Sequence, residues 1–354
     1  MPKDMNSLLK LMVEKGASDL HITVKWPAQI RIDEKLVAVD DHILSPEEVK
    51  SLIYSMLTKQ QIEKFERDFE LDISFELAEI SRFRVNIFKQ RGTVGASIRL
   101  IPYKIWSFEE CGLPENIAVN FCKRPKGLVL FTGATGSGKS TSLASMIDWI
   151  NNDRPCHIVT IEDPIEFVHQ NKKALVDQRE VYSDTHTFPA ALKHVLRQDP
   201  DVILIGEMRD LETIESALII AETGHLVFAT LHTSDCVQTI NRIVDVFPAH
   251  QQQQIRTQLS FVLLGVISQQ LIPKQGGKGR VLAAEVLMVN PAVRSLIRES
   301  KVHQIYSAIQ TSQKEGMKTM NQALYELYQK KFITYEQAVA RSTDPEDLAR
   351  LFKR

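Results

Sequence analysis

An eight-residue segment of the chain has the residue types and spacing of a phosphate-binding loop. Gly133-Ala134-Thr135-Gly136-Ser137-Gly138-Lys139-Ser140 fits G-x-x-x-x-G-K-[ST] at every fixed position. Glycines let backbone N–H groups wrap phosphate oxygens, and the start of the following helix adds partial positive charge. Lys139 would reach the β- and γ-phosphates, and the Ser140 hydroxyl would bind Mg²⁺. We expect the residues from Gly133 to Thr141 to bind a nucleoside triphosphate.

The flanks of this loop separate it from a chance glycine turn. Leu128-Val129-Leu130-Phe131 has the length and residue types of a buried strand. Apolar residues recur at helical spacing after the loop, at Leu143, Met146, Ile147 and Ile150. A strand, a glycine loop and a helix in this order form the context that the motif requires.

Two acidic segments follow apolar strands, and hydrolysis needs acids to support the metal and activate water. The run from Val202 to Ile205 ends in Gly206-Glu207, with glycine where such strands usually carry aspartate. We predict that Glu207 holds Mg²⁺ through water; the alternative is an ordinary charged strand end. In Ile161-Glu162-Asp163-Pro164-Ile165-Glu166, we predict that Glu166 is the water-activating base. Here the alternative is a solvated turn, which Asp-Pro favours.

Histidines and arginines are the remaining candidates. His225 and His232 bracket the apolar strand Leu226–Leu231, and an imidazole at a carboxyl edge could sense the γ-phosphate. A lone histidine is more often structural. Arginines on the polar face of a sheet are usually only solvated, yet NTPases can take one across a subunit interface to neutralise transition-state charge. The arginines on or beside the N-terminal strands are Arg82, Arg84, Arg91 and Arg99.

Composition limits the class of protein. The chain has 354 residues, 44% hydrophobic and 25% charged, as in soluble proteins with two domains. A net charge of −1 provides no global field for nucleic acid. The four cysteines have no C-x-x-C spacing, and Met1-Pro2-Lys3-Asp4-Met5-Asn6 has no signal-peptide character. The most apolar run, Phe261 to Ile267, is too short to span a bilayer. We therefore expect a cytoplasmic protein without direct membrane insertion.

Hydrophobic periodicity divides the chain into regions. Period-two alternation in residues 1–101 predicts a small α+β domain, in which Ser45-Pro46-Glu47-Glu48 begins a helix and a strand runs from Val94 to Ile101. Residues 102–114 have the Pro and Gly content of a linker. Residues 115–290 alternate strands and helices, which favours a parallel sheet. Beyond Pro248 an apolar stripe and further helix starts predict mostly helix, with a strand at Val281–Val289 and a helical region at 291–354. The expected parallel strands are Leu128–Thr132, His157–Ile161, Val202–Ile205 and Leu226–Leu231; the stripe is Ile255, Leu259, Val262, Leu263, Val266 and Ile267; and the further helix starts are Thr334 and Asp344.

Four motifs in order resemble one family, the secretion ATPases of type II secretion and type IV pili. They are GATGSGKS, IEDPIEF, LRQDPDVILIGEMRD and GHLVFATLH. The opening Gly16-Ala17-Ser18-Asp19-Leu20-His21 and the segment Ala292 to Glu299 are similar to the retraction ATPases within that family. The chain lacks the tetracysteine element of the assembly and secretion ATPases. It departs from the retraction pattern at Lys25-Trp26-Pro27-Ala28 and at Glu34, where glycines and a proline pair are usual.

The resemblance implies a PAS-like N-terminal α+β domain joined to a RecA-like P-loop ATPase domain with a C-terminal helical region. It implies ATP and Mg²⁺ as ligands and a homohexameric ring. In the family, arginines of the N-terminal domain reach the nucleotide, and Arg84 and Arg99 match them in position. His232 would report on the γ-phosphate. Hydrolysis would drive an inner-membrane platform protein at the base of the pilus machine, so that pilin returns to the membrane and the pilus retracts, as in twitching motility.

Other functions remain open on the sequence alone. One is an assembly or secretion ATPase of the same family, and another is a nucleotide-gated regulator of the pilus machine that barely hydrolyses. A nucleic-acid motor on a related core is a third, although the charge of −1 argues against it and no nucleic-acid partner is expected.

Overall fold

A computed structural model describes residues 4–32, 35–77, 80–101, 104–277 and 279–353. Glu34 and the linker residues Pro102 and Tyr103 lie outside these ranges. The chain forms two compact units: Met1–Lys104 with Glu166–Val168, and Ile105–Ile165 with His169–Arg354.

The first unit is an antiparallel sheet with helices. Its strands, in the described part of this unit, lie in the order β3-β2-β1-β6-β5-β4, and every neighbouring pair is antiparallel. The predicted helix start at Ser45 is confirmed, since Ser45 and Glu48 form a reciprocal capping box. The elements are α1 (Met5–Glu14), β1 (Asp19–Ile22), β2 (Gln29–Ile32), β3 (Lys35–Ala38), α2 (Pro46–Tyr54), α3 (Lys59–Asp68), β4 (Glu70–Leu77), β5 (Ser81–Gln90) and β6 (Thr93–Ile101).

The second unit contains a mostly parallel sheet. Its described strands lie in the order β13-β12-β7-β11-β10-β8-β9, and only the β12–β13 pair is antiparallel. The elements up to the central strands are α4 (Phe108–Cys111), α5 (Glu115–Cys122), β7 (Gly127–Thr132), α6 (Lys139–Asp153), β8 (His157–Glu162), β9 (Leu175–Glu180), α7 (Phe188–Val195), β10 (Val202–Ile205), α8 (Leu211–Glu222) and β11 (Leu226–Leu231). The rest are α9 (Cys236–Asp245), α10 (Ala249–Val262), β12 (Leu263–Pro273), β13 (Arg280–Met288), α11 (Pro291–Arg298), α12 (Ile305–Thr311), α13 (Met320–Gln329), α14 (Tyr335–Arg341) and α15 (Pro345–Phe352).

The central strands are buried on both faces. Every residue of β7, β10 and β11 is buried, which explains why their sequences are continuous apolar runs rather than alternating ones. The predicted fold class is confirmed: an antiparallel N-terminal sheet, a parallel-rich sheet and C-terminal helices. The predicted helix starts at Thr334 and Asp344 are the N-caps of α14 and α15.

One prediction of secondary structure is wrong. The stripe read as helix from Ile255 to Ile267 changes type in the middle, because α10 ends at Val262 and β12 begins at Leu263. Leu263, Val266 and Ile267 are buried strand residues. β12 lies between β7 and β13, so pairing on both sides overrides a spacing that also fits a helix. Throughout the described ranges, no helix is both long and apolar enough to cross a membrane.

Candidate active site

The glycine loop connects β7 to α6 at the carboxyl edge of the parallel sheet. Gly133, Gly136 and Gly138 have backbone φ values of 136°, 76° and 94°, which residues other than glycine rarely adopt. A Cβ at Gly133 would come within 2.4 Å of the Gln269 carbonyl oxygen, so β12 leaves room only for glycine there. A Cβ added at Gly136 would have no neighbouring atom within 4 Å, so the tip of the loop is open to solvent.

Lys139 is the first residue of α6, and its side chain folds back over the loop. Its Nζ donates to the carbonyl oxygens of Gly133 at 2.7 Å and Ala134 at 3.0 Å. The residue is only 8% exposed. Burial lowers the pKa of its ammonium, and the charge of Glu207 opposes that shift. The loop carbonyls thus hold the ammonium at the position where phosphate oxygens would enter.

Glu207 follows β10 and forms a charged cluster with two neighbours. Its Oε1 accepts from Arg209 Nε at 2.6 Å and lies 3.2 Å from His232 Nε2. Burial raises the pKa of the Glu207 carboxyl, but the hydrogen bond from Arg209 and the charges of His232 and Arg209 outweigh it, so the pKa is lowered overall. The structure therefore brings three predicted site residues to one edge: Lys139, Glu207 and His232.

Gly206 occupies the usual position of an aspartate for a steric reason. A Cβ there would lie 3.1 Å from Glu162 Cα and 3.2 Å from the Ile161 carbonyl oxygen, both backbone atoms of β8. The Gly206 N–H donates to that same carbonyl at 2.8 Å, and Thr230 Oγ1 donates to the Gly206 carbonyl at 2.5 Å. A side chain here would crowd the backbone of β8, which favours glycine at this position, and the acid follows at Glu207.

The two histidines lie at opposite ends of β11. Because Leu226 pairs with Gly127 and Leu231 with Thr132, the strand runs toward the P-loop. His232 follows its carboxyl end, whereas His225 precedes its amino end and contacts the Ile220 carbonyl at 3.1 Å. His225 therefore lies a full strand length from the P-loop of its own chain, and its role at the nucleotide stays a prediction.

Glu162 and Glu166 have different surroundings. Glu162 ends β8 and accepts from Thr160 Oγ1 at 2.7 Å and Gln178 Nε2 at 3.2 Å. Glu166 is exposed, belongs to no helix or strand, and lies in the short segment that groups with the first unit. Its role as base stays a prediction.

In the first unit, Arg84 and Arg99 are direct cross-strand partners on β5 and β6. Arg99 Nε donates to Asp19 Oδ1 at 2.9 Å, and Asp19 also lies 3.8 Å from Arg31 Nε. Arg84 is exposed, and across the ranges that the structure describes it makes no ion pair. The sheet therefore presents one tethered and one free arginine side by side.

The groups at the P-loop edge suit a nucleotide with Mg²⁺. The open glycine loop, the buried ammonium and the unpartnered buried hydroxyl of Ser137 are donors for phosphate oxygens. Ser140 is exposed at the start of α6, and hydroxyl and carboxylate oxygens such as those of Ser140 and Glu207 are the ligand types that Mg²⁺ prefers.

Two site residues escaped the sequence reasoning. Arg209 pairs with Glu207, and its signal was its place two residues after the acid. Gln269 abuts Gly133 and donates to Ser142 Oγ at 2.7 Å. No motif marks Gln269, since its place depends on the pairing of β12 with β7.

Comparison with known proteins gives matches over nearly the full length. A family model described as type II/IV secretion system protein matches residues 1–339. The chain is 50% identical to the type IV pilus retraction ATPase PilT of Pseudomonas aeruginosa, over 97% of this chain and 99% of that one. It is 48% identical to a twitching motility protein of Neisseria gonorrhoeae, over 97% of this chain and 92% of that one.

Comparison with solved structures gives matches to related ATPases. A crystal structure of the pilus retraction motor PilT with bound ADP has a TM-score of 0.92 and 50% identity, covering 98% of this chain and 99% of that one. The ATPase DotB of Legionella pneumophila has a TM-score of 0.83 and 29% identity, covering 95% and 94%.

Proposed function

Because the chain belongs to the family of type II/IV secretion system proteins, we propose that it is an ATP-hydrolysing motor that powers retraction of a type IV pilus. One observation carries this proposal: half of its residues are identical, over nearly the whole of both chains, to a pilus retraction ATPase. The P-loop of this chain has the open glycine backbone and buried lysine that ATP binding needs. The protein is thus a P-loop ATPase whose work is mechanical.

Each residue at the edge has a role in hydrolysis. Lys139 would exchange the carbonyls of Gly133 and Ala134 for phosphate oxygens, which a buried ammonium binds strongly. Ser140 and Glu207 would hold Mg²⁺, which supplies neutralising charge for the phosphates. Arg209 and His232 hold the Glu207 carboxylate ionised and oriented. His232 also reports on the γ-phosphate.

Three further groups complete the proposed reaction. Glu166 takes the proton of the attacking water. Arg84 and Arg99 supply positive charge to the transition state; such arginines increase the rate by roughly 10³–10⁵. Asp19 orients Arg99, whereas Arg84 makes no ion pair within the described ranges.

The machine around the ATPase is also part of the proposal. The chain assembles as a homohexameric ring in the cytoplasm, peripheral to the inner membrane. There it acts on the platform protein at the base of the pilus and only indirectly on pilin. The names of two near-full-length relatives, a pilus retraction ATPase and a twitching motility protein, support this location.

A second function within the family is possible to test in parallel. The chain is 43% identical to the type IV pilus ATPase PilU of P. aeruginosa, over 99% of this chain and 91% of that one. That match favours, as the second candidate, another type IV pilus ATPase of the same family.

A deletion strain tests the direction of work. Loss of the chain should leave excess surface pili without twitching motility, and the wild-type gene should restore motility. A Lys139→Ala copy, which lacks the phosphate-binding ammonium, should not restore it. A strain without pili would indicate an assembly ATPase instead, and unchanged motility with normal pili would contradict the retraction role.

A further inference from the structure

A buried carboxylate in β13 is not used by the proposed reaction. Glu285 is 3% exposed, although β13 is the edge strand of its sheet. Its Oε1 accepts from the backbone N–H of Cys236 at 2.8 Å, and its Oε2 accepts from the backbone N–H of Met320 at 3.2 Å. A buried carboxyl needs such partners, because leaving it unpaired would be strongly unfavourable.

Both partners are the first residues of helices. Cys236 begins α9 and Met320 begins α13. The N-caps of these helices, Asp235 and Thr319, already accept from residues deeper in the first turn. Glu285 therefore satisfies a remaining N–H at each helix, and both helix dipoles direct positive charge at it. Burial raises the pKa of the carboxyl overall, and the N–H bonds from Cys236 and Met320 counteract only part of that rise.

The first of these helices is preceded by the loop that carries His232. Residues 232–235 connect β11 to α9, and Ser268 Oγ donates to the Ser234 carbonyl at 2.8 Å. Ser268 and Glu285 face each other directly in the β12–β13 pair. One cross-strand pair thus holds the loop at two successive points, Ser234 and Cys236. At the other end of the loop, His232 lies 3.2 Å from Glu207.

We propose that Glu285 is a positioning residue for ATP hydrolysis: it fixes the loop that carries His232 and ties the start of α13 to the same carboxylate. The inference rests on the role of His232 in the proposed function. Because Glu285 reaches the site only through the loop, its removal should disturb the placement of His232 and leave the phosphate cradle intact.

The test is a double-mutant cycle between Glu285→Gln and His232→Asn on the purified full-length chain. Glutamine keeps the shape, but its amide nitrogen cannot accept one of the two N–H bonds. We expect kcat to fall about tenfold, as a small misplacement of a site group does, with KM for ATP within about twofold. In the His232→Asn background, Glu285→Gln should change kcat less than about twofold, because residues that act as a unit are not additive. Amide exchange at Cys236 and Met320 should become faster.

Val286→Ala is the matched control. Val286 is buried on the opposite face of the same strand, so its truncation loosens β13 without touching the carboxylate, and its effect on kcat should be equal in both backgrounds. Should Glu285→Gln fail to fold, Ser268→Ala removes the second hold on the loop and must show the same non-additivity.

The possible failures are distinguishable. Full kcat in Glu285→Gln while His232→Asn loses activity would overturn the positioning role and leave the proposed function standing. Losses of kcat that add up in the double variant would also overturn the positioning role and leave the proposed function standing. Full activity of His232→Asn would remove the role of His232 itself, and the positioning role with it.

Discussion

Replacement of Gly206 by alanine should destabilise the second unit and reduce hydrolysis. The added Cβ would meet two backbone atoms of β8 at 3.1 and 3.2 Å, where ordinary contacts are about 3.5–4.0 Å. Gly206 cannot move away easily, because its N–H is bonded to the Ile161 carbonyl and its carbonyl accepts from Thr230. The crowding therefore falls on the backbone that places Glu207.

Two opposing contributions set the change in the free energy of unfolding on Gly206→Ala. Overpacking of a fixed site destabilises by about 1–3 kcal/mol. Alanine restricts the unfolded chain more than glycine does, and this stabilises the folded state by about 0.4–1 kcal/mol. We expect a net loss of about 1–2 kcal/mol in the free energy of unfolding, which corresponds to a thermal midpoint about 2–8 °C lower.

Calorimetry at a fixed scan rate and steady-state ATPase assays test this prediction. The background Thr230→Ala is the control, because it releases the Gly206 carbonyl and lets the strand end shift. In that background Gly206→Ala should lower the thermal midpoint and the ATPase rate less than it does in the parent chain. A thermal midpoint of Gly206→Ala within about 1 °C of the parent would refute the steric explanation for the displaced acid.

Three further results are expected. Glu166→Ala should keep ATP binding but lose turnover, as equilibrium binding and steady-state assays would show; full turnover would exclude it as the base. The lowered pKa of Glu207 means that its cluster stabilises the fold above the usual glutamate pKa of 4.5 and stops doing so as the pH falls through its lower folded-state value. The stability difference between wild type and Glu207→Gln, at most about 1 kcal/mol for so accessible a cluster, should thus vanish in urea melts at acidic pH. Arg84→Ala and Arg99→Ala should both lower turnover, but only Arg99→Ala should lower the thermal midpoint, because it takes a partner from the buried carboxylate of Asp19; equal midpoints would contradict this.

The parts of the fold that a sequence can predict are those with local causes. The strand before the P-loop and the strand Val202–Ile205 were predicted to within a residue, because each is an uninterrupted apolar run bounded by polar or glycine residues. The helix starts at Ser45 and Thr334 were predictable because a capping box is a local hydrogen-bond pattern.

Other parts have causes that lie far away in the chain. The change from α10 to β12 occurs between Val262 and Leu263, and no proline marks it there. Hydrogen bonding with β7 and β13 on either side determines that the segment after Val262 is a strand. No pattern predicted β9, a short strand at the sheet edge in which Leu175 is exposed and Glu180 is buried. His225 and His232 have equivalent positions in a symmetric-looking segment, and only the direction of the strand in the sheet separates them.

The same distinction applies to the site. The motif residues from Gly133 to Ser140, which we propose bind phosphate, carry a strong signal in the sequence. Strand β12 supports them, through the close approach of Gln269 to Gly133 and through the hydrogen bond from Gln269 to Ser142. Ser268 and Glu285 hold the loop of His232 from the same two strands. A shift of β12 by one residue would exchange Ser268 and Gln269 between the two faces of the sheet, so it would disrupt both supports at once. The register of β12 against its two neighbours, β7 and β13, therefore sets both the packing of the P-loop and the position of the His232 loop.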